Sequence, residues 1–346
     1  MASEVATTRD VGAEAAQGQA LANLAQYADE ARGAFARNTE RAIRADTAVF
    51  SAWCASRGEA ALPAAPRTLA DFVDAMQEEA RDGDPVPDGG TPQKPKGPRK
   101  PATIRRYVSS VAHLHRAAGL PNPADSNAVR LALRRMAMKG NAAQEQAGGL
   151  TRRLADRLLG AGGARLRDLR NRALLAVAYD TLCRRSELVA LLREDLHHGP
   201  HGDGTVKVRR GKTDQAGEGT VRYLAPDTMR MVLQWVEAAG IADGRLFRGV
   251  LKGGRVGGAL DAGSVARVFK ELARAASLPE AEVARISAHS SRVGAAQDMA
   301  ASDRISTVAI MQAGGWASPR MVARYTQRQE ARRGGAARLA EMQHRM

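Results

Sequence analysis

The sequence predicts a mainly α-helical protein with a small antiparallel sheet, built as two domains. Three observations carry this prediction. Apolar residues recur at helical spacing in two long stretches of the 346-residue chain. A polar segment of small residues, 141–149, separates the two stretches and is expected to be a linker. Strict apolar–polar alternation surrounds a glycine-bearing turn, which indicates one hairpin.

The first domain is expected over residues 21–140. Asn38 is placed to cap one helix, and Thr68 with Asp71 resembles a capping box at the start of the next. The apolar residues of the basic stretch 103–116 recur at i, i+3, i+4, i+7 and i+10, which is one face of a further helix. These elements predict a helical bundle.

Two segments of this half lack helical periodicity. Residues 1–20 predict a mobile tail. Residues 82–101 are rich in Pro and Gly, which excludes regular structure and predicts a flexible loop. Because its second half is basic, this loop is either a solvated connector or a strap lying on phosphates.

The second domain is expected over residues 150–346. Its first helices end in an apolar run that stops at Arg184, and Ser186 is placed to cap the next helix. A hairpin follows, with Lys212 at its tip. The chain from Asp227 onward predicts helices again, broken by glycines around Arg255.

Charge favours a polyanionic partner. Lys and Arg number 52 against 37 Asp and Glu, a formal net charge of +15, so nucleic acid is the first candidate. The N-terminus has no apolar signal region, and no run of about 18 apolar residues could span a bilayer. With two cysteines and no disulfide framework, we expect a cytoplasmic protein without a membrane partner.

Most of the candidate reactive residues are cations or hydrogen-bond donors. They are Arg184, Lys212, His289, Arg292, Trp316 and Tyr325. Fixed donors without paired carboxylates or metal ligands suit a pentacovalent phosphorane, whose added negative charge needs electrostatic stabilisation. A tyrosine beside them is a candidate nucleophile.

Each residue also has an ordinary structural interpretation. Arg184 would cap a helix end, Lys212 would be a solvated turn residue, and the two aromatic residues and His289 would be packing residues. Cys183 is expected to be a buried helix cysteine. The spacing of His197, His198 and His201 resembles that of metal ligands, but we interpret these residues as a surface turn and predict no metal site.

Four sequence segments, in the order in which they occur along the chain, favour the catalytic interpretation over the structural one. "TLCRRSEL", "RGKT", "HSSRVGAAQDMA" and "IMQAGGWASPRMVARY" resemble the tyrosine recombinase (phage integrase) family, with Tyr325 nine residues after Trp316. The resemblance runs from about residue 35 to 330. It implies a two-domain clamp, in which an N-terminal helical core-binding domain and a tyrosine-recombinase catalytic domain close around duplex DNA.

The resemblance also implies the reaction. Tyr325 attacks the scissile phosphate, forms a 3′-phosphotyrosine and releases a 5′-hydroxyl that later attacks the partner duplex. Arg184 and Arg292 match the family arginines, whose bidentate donors fit the non-bridging oxygens. Because the phosphodiester energy is kept in the phosphotyrosine, we expect no cofactor: neither metal nor nucleotide.

The remaining site residues complete this assignment. Lys212 is expected to protonate the leaving 5′-oxygen, and His289 shares the acid–base work. Trp316 stands where many relatives have His, and its indole N–H donates without shuttling protons. Glu187 matches an acidic family position and is expected to orient neighbouring cations.

Contacts to DNA are expected from one helix of each domain. The candidates are Arg105, Arg106, Ser109, Arg267 and Lys270. Phosphates are the more common target of such contacts than base edges. The family pattern implies double-stranded DNA with inverted-repeat sites, a homotetramer on synapsed DNA, and no small-molecule substrate. Residues 330–346 are either a segment that docks on a neighbouring protomer or a frayed tail.

Two rival functions remain open at this stage. "ISTVAIMQAGGWASPRMVARY" also resembles a helix–turn–helix, which would fit a non-catalytic DNA-binding regulator. The same chemistry without strand exchange would fit a type IB topoisomerase or a hairpin telomere resolvase. The family likeness of the first domain argues against both, and the target sequence and biological task stay open.

Overall fold

The computed structural model describes residues 18–78, 98–139, 147–211 and 218–345. The chain divides into two compact units, Met1–Gln144 and Glu145–Met346. Most of the predicted tail, loop and linker lie outside the described residues, and so does Lys212. Within the described residues, no helix is long and apolar enough to cross a membrane.

The first unit is helical in all its regular elements that are described. Its helices are α1 (18–30), α2 (Arg37–Ala55), α3 (Pro66–Glu78), α4 (Pro101–Ala117) and α5 (Asn127–Lys139). Phe72 lies at the centre of its core and meets Phe50 and Trp53 edge-on, at centroid distances of 5.0 and 5.3 Å. The apolar stripe predicted on α4 faces this core.

Both predicted capping patterns in this unit are wrong. Helix α2 begins at Arg37, with Ala36 at the N-cap, and the Asn38 side chain accepts a hydrogen bond from Arg41 instead. Helix α3 begins at Pro66, whose fixed φ suits the first turn, and Asp71 pairs with a neighbouring arginine one turn away. Both helices start earlier than their polar residues suggest, and in α3 the proline sets the first turn.

The second unit is mainly helical with two small antiparallel sheets, which confirms the predicted fold class. Its helices are α6 (Arg152–Gly160), α7 (Leu166–Thr181), α8 (Arg185–Leu188), α9 (Pro226–Ala238), α10 (Ser264–Ala275), α11 (Glu280–Arg285), α12 (Ser290–Ala301), α13 (Thr307–Gly314), α14 (Pro319–Arg333) and α15 (Gly335–Met342). Its strands are β1 (Leu196–His198), β2 (Gly204–Val208), β3 (Thr220–Leu224), β4 (Arg248–Val250) and β5 (Val256–Ala259).

The sheets hold the predicted hairpin and two unpredicted features. Strands β2 and β3 pair up to Val208 and Thr220, and β1 adds a third strand, so the order is β1-β2-β3. His197 and His198 therefore lie on β1, where the prediction of a turn is wrong, whereas His201 lies in the turn between β1 and β2 as predicted. Strands β4 and β5 form a second hairpin around the glycines near Arg255, where only broken helices are predicted.

Helix α7 is the centre of the second core. It is buried on nearly every side, by α6, α9, α10, α12 and β3. Its sequence from Ala173 to Ala178 is uniformly apolar and uniformly buried. The carboxyl end of α7 is thereby fixed deep inside the unit.

The chain enters the second unit across helix α12. The Leu150 amide donates to the Ser290 carbonyl at 2.9 Å, and the Gly148 amide donates to the Arg285 carbonyl at 3.1 Å. The Leu150 carbonyl lies directly over Gly294, where a Cβ atom would overlap it. A glycine is required at this position because two backbones cross there.

We expect Gly294→Ala to destabilise the second unit by about 2–3 kcal/mol, because the methyl group forces the crossing backbones apart. The melting temperature should fall by roughly 5–10 °C in calorimetry. Gly160→Ala is the matched control: Gly160 ends α6, and nothing lies within 4 Å of a Cβ added there. Equal melting temperatures for the two variants would contradict the crossing.

Candidate active site

The first arginine of the site is positioned by the turn after α7. Leu182 takes a left-handed conformation with φ of 51° and ends the helix. Arg184 is then the N-cap of the short helix α8. The Glu187 carboxylate accepts from the Arg184 backbone amide and from its Nη1, both at 2.8 Å. Glu187, rather than the predicted Ser186, therefore caps α8 and orients Arg184.

The second arginine, Arg292, is buried in helix α12, with 2% of its surface exposed. Its Nη1 donates to the Leu182 carbonyl and its Nη2 to the Gly314 carbonyl. The guanidinium carbon lies 4.3 Å from the centre of the Trp316 ring, a cation–π contact. Burial, and then the nearby Arg184 charge, lowers the pKa of Arg292 to about 10, so it stays charged at neutral pH.

Two glycines place the tryptophan. Helix α13 ends at Gly315, whose φ of 59° is the left-handed conformation that favours glycine at a C-cap. The Trp316 ring then packs on Gly314, where a Cβ would overlap it. The "GGW" segment is therefore a tight helix end that turns an indole, itself buried, toward Arg292.

The candidate nucleophile lies beside the histidine. His289 Nε2 and the Tyr325 hydroxyl are 3.1 Å apart, and the Trp316 and Tyr325 rings are 5.7 Å apart. Burial, followed by the charges of Arg292 and Arg184, lowers the pKa of His289 to about 4. A neutral imidazole at neutral pH can accept the hydroxyl proton of Tyr325.

The structure brings all but one of the sequence-predicted catalytic residues into one cluster. They are Arg184, Glu187, His289, Arg292, Trp316 and Tyr325. Lys212 lies outside the described residues, and the strands on either side of its loop are paired at Val208 and Thr220.

Sequence reasoning missed one arginine of this region. Arg222 of β3 donates through Nη1 to the Gln312 carbonyl at 2.7 Å and to the Ala313 carbonyl. The alternation of the strand could have found it, because residues 220, 222 and 224 share one face and Leu224 is fully buried. The carbonyls of Leu182 and Gly314 carry no sequence signal of their own.

The predicted DNA contacts of the first unit share one exposed face of α4. Arg105, Arg106 and Ser109 are exposed there, opposite the buried stripe of this helix. Arg106 is also paired, at 3.0 Å, with the buried carboxylate of Asp46. This pair fixes the guanidinium of Arg106, and the side chain of Arg105 beside it is exposed.

The predicted contacts of the second unit lie on α10. Arg267 is exposed and donates to the Ser264 hydroxyl at 3.0 Å, while Lys270 is half-buried with its Nζ 3.5 Å from the Ala284 carbonyl. Neither residue lies in the cluster around Tyr325.

Cys183 is buried beside this cluster as predicted, but it lies in the turn between α7 and α8 rather than in a helix. Burial raises the pKa of its thiol to about 11, so it is an inert packing residue. Among the residues that the structure describes, no group of three or more His, Cys, Asp or Glu could hold a metal ion.

Comparison with known proteins identifies the family. The model of the phage integrase family matches residues 150–332, more than half of the chain and all the clustered residues. The chain belongs to the phage integrase family of tyrosine recombinases. It is 30% identical to the recombinase Cre of Escherichia phage P1 over 326 residues, 90% of each chain.

A second relative and a solved structure are also similar to this chain. An integrase/recombinase XerD homolog of Selenomonas ruminantium is 29% identical over 305 residues, covering 84% of this chain and 81% of the relative. The solved structure of the Tn1549 transposon integrase in complex with circular intermediate DNA has a TM-score of 0.59 at 17% identity. It covers 94% of this chain and 99% of that one, which shows a shared fold.

We expect the ring of His289 to titrate near pH 4 rather than near its usual 6.5, because burial and two arginines oppose its protonation. The unfolded chain then binds more protons between these values, so His289 lowers the stability of the fold as pH falls from about 6.5 to 4. Histidine ring NMR measures the midpoint, with His289→Gln identifying the signal. A midpoint at 6 or above would contradict the described cluster.

Proposed function

We propose that the protein is a site-specific DNA recombinase that cleaves duplex DNA with Tyr325. One observation carries this proposal: the Tyr325 hydroxyl lies 3.1 Å from an imidazole held neutral by burial and by two arginines. A phenol is a weak nucleophile unless a base takes its proton and cations stabilise the phenolate. This site supplies both.

The proposed step is an in-line displacement. The Tyr325 oxygen bonds to phosphorus while its proton passes to His289, and the bond to the 5′-oxygen breaks. Lys212 gives the leaving oxygen its proton, so that a 3′-phosphotyrosine and a free 5′-hydroxyl result. The reverse attack, by a 5′-hydroxyl from the partner duplex, then rejoins the strand and releases Tyr325.

Arg184 and Arg292 stabilise the phosphorane in this proposal. Arg292 uses two of its five N–H groups on carbonyls, which leaves donors for a non-bridging oxygen. A phosphate between the two arginines would offset the charge repulsion that adds to burial in lowering the pKa of both His289 and Arg292. The cluster is thus more favourable with an anion than without one.

The wider reaction follows from the family. We propose that protomers bind inverted repeats through α4 and α10, and that two sites synapse in a homotetramer. Strands are exchanged in two steps through a Holliday junction. The relatives Cre and XerD are named recombinases, and the Tn1549 integrase was solved with DNA. The net charge of +15 supports a DNA partner.

A regulator that only binds DNA is the second candidate, since α13 and α14 could form a helix–turn–helix. The structure of the connecting turn disfavours it, because Trp316 is buried there and Arg292 binds the Gly314 carbonyl. A turn that positions a cation and an indole fits a catalytic site better than it fits a helix–turn–helix that contacts bases in a DNA groove.

Tyr325→Phe should abolish cleavage and leave DNA binding within about twofold, because only the hydroxyl is removed. Arg292→Ala should slow cleavage by about 100-fold or more, the usual cost of losing one donor to an oxyanion. The test uses a nicked suicide duplex carrying a site selected by the wild-type protein from a randomised pool, and a denaturing gel.

The gel should show a covalent protein–DNA band for wild type and none for Tyr325→Phe. An unchanged band in Tyr325→Phe would mean that another residue is the nucleophile. The absence of a band in wild type on a tightly bound site would favour the regulator. Relaxation of supercoiled DNA without exchange between two sites would favour a topoisomerase.

The predicted docking segment 330–346 does not coincide with one element. Residues 330–333 complete α14, and Arg333 donates to the Ala300 and Ser302 carbonyls of its own chain. The helix that follows, α15, exposes Leu339 and Met342, at 47% and 72%. The proposed intersubunit contact is therefore α15 alone.

Deleting residues 335–346 should leave binding to a single site within about threefold and weaken assembly of the synaptic tetramer by at least tenfold, because the apolar face of α15 loses its partner. Leu339→Gln with Met342→Gln should reproduce the defect in the full-length chain. Sedimentation of the protein on one-site and two-site duplexes separates the two effects. Tetramer assembly at the wild-type level by both variants would exclude the contact.

A further inference from the structure

One helix end near the catalytic cluster makes contacts that the proposed reaction does not explain. It is the carboxyl end of α13, whose last carbonyls all have hydrogen-bond partners. The Trp316 amide donates to the Met311 carbonyl, and the Gly315 amide donates to that of Gln312. Arg222 takes the carbonyls of Gln312 and Ala313, while Arg292 takes that of Gly314.

The guanidinium groups of Arg222 and Arg292 therefore both donate to carbonyls at the carboxyl end of α13. The carboxyl end of a helix carries a partial negative charge, so cations are stabilised there. The two arginines nevertheless repel each other: Arg222 is among the charges that lower the pKa of Arg292. They share this helix end because each holds a different part of it, Arg222 the last turn and Arg292 the residue that precedes the left-handed Gly315.

The position of Arg222 in the sheet adds a second connection. Arg222 lies two residues after Thr220, where the pairing of β2 and β3 stops. The loop that carries Lys212 leaves the sheet at the same place. One side chain thus joins the base of that loop to the turn that carries Trp316.

We propose that Arg222 is a positioning residue for catalysis, resting on the proposed recombinase function. By holding the last turn of α13 it keeps Gly314, Gly315 and Trp316 in place, and with them the carbonyl that orients Arg292. Arg222 is not itself a ligand of the phosphate in this scheme. Its loss lets the turn shift while Tyr325 and His289 keep their contact.

The test compares Arg222→Met with a matched control, Arg157→Met. Arg157 also donates to two carbonyls at a helix end, those of Ala276 and Ser277 after α10, at 3.0 and 3.3 Å. Each variant removes one guanidinium and retains an unbranched stem. The probe is the suicide duplex selected by the wild-type protein, and the rate of covalent bond formation is measured with protein in excess.

We expect Arg222→Met to form the covalent complex roughly 10- to 100-fold more slowly than wild type, since a small displacement of catalytic groups has effects of this size. Its DNA affinity should stay within about threefold, and its melting temperature close to that of Arg157→Met. Arg222→Lys should be intermediate, because one ammonium can reach one of the two carbonyls.

A double-mutant cycle distinguishes positioning from general stability. If Arg222 acts through the turn, Arg222→Met should slow a Trp316→Phe protein by less than about threefold. Equal slowing in both backgrounds would overturn the proposal, and so would a rate equal to that of Arg157→Met. A loss of DNA affinity that accounts for the slower rate would do the same, because it would make Arg222 a DNA contact.

Two further results distinguish a failure of the positioning proposal from a failure of the recombinase proposal. If Arg222→Met does not fold, the cleavage rates of Arg222→Lys and Arg157→Lys decide, and equal rates overturn the proposal. If wild type forms no covalent complex on its selected site, the recombinase function fails rather than the positioning role.

Discussion

The second unit is organised around one charged group in its interior, the guanidinium of Arg292. Removing such a charge from water is costly unless hydrogen bonds replace those of the solvent. Two carbonyls do so, one after the end of α7 and one at the end of α13. The fold must therefore bring the carboxyl ends of α7 and α13 to the same point. The burial of α7 fixes the first end, and Gly314 and Gly315 allow the tight turn at the second.

The charge balance of the site follows from the same arrangement. Arg184, Arg222 and Arg292 all act on one another or on His289, while Glu187 is the acidic residue bonded to Arg184 within the described cluster. Burial, together with the excess of positive charge, lowers the pKa of His289 and keeps its ring neutral. A site with this imbalance favours an anion, and a neutral base beside a tyrosine is what nucleophilic attack on that anion needs.

Sequence patterns predict functional side chains, because residue type and spacing identify them. They do not predict contacts made by backbone carbonyls and amides. The mainly helical fold and the β2–β3 hairpin could be predicted from periodicity, and most of the clustered side chains from residue type. Glu187 was predicted only from the family resemblance. The caps at Thr68 and Ser186 were wrong because a proline and the Glu187 carboxylate decide those helix starts. Strands β4 and β5 were missed because their glycines show no alternation. Arg222 was missed because its partners are carbonyls, which every residue has.

The crossing of Leu150 over Gly294 bears on how this chain can be recombined with others. Residues 147–151 precede the helices of the second unit, yet Gly148 is hydrogen-bonded to α11 and Leu150 to α12, the helix that carries Arg292. A chimera that joins another N-terminal helical unit at residue 150 would exchange half of this contact and leave Gly294 facing a foreign backbone. A junction placed before residue 147 keeps residues 147–151 native, and with them the backbone that packs on Gly294 of α12. For this fold, the boundary that matters to a protein engineer is set by a glycine 144 residues downstream of Leu150.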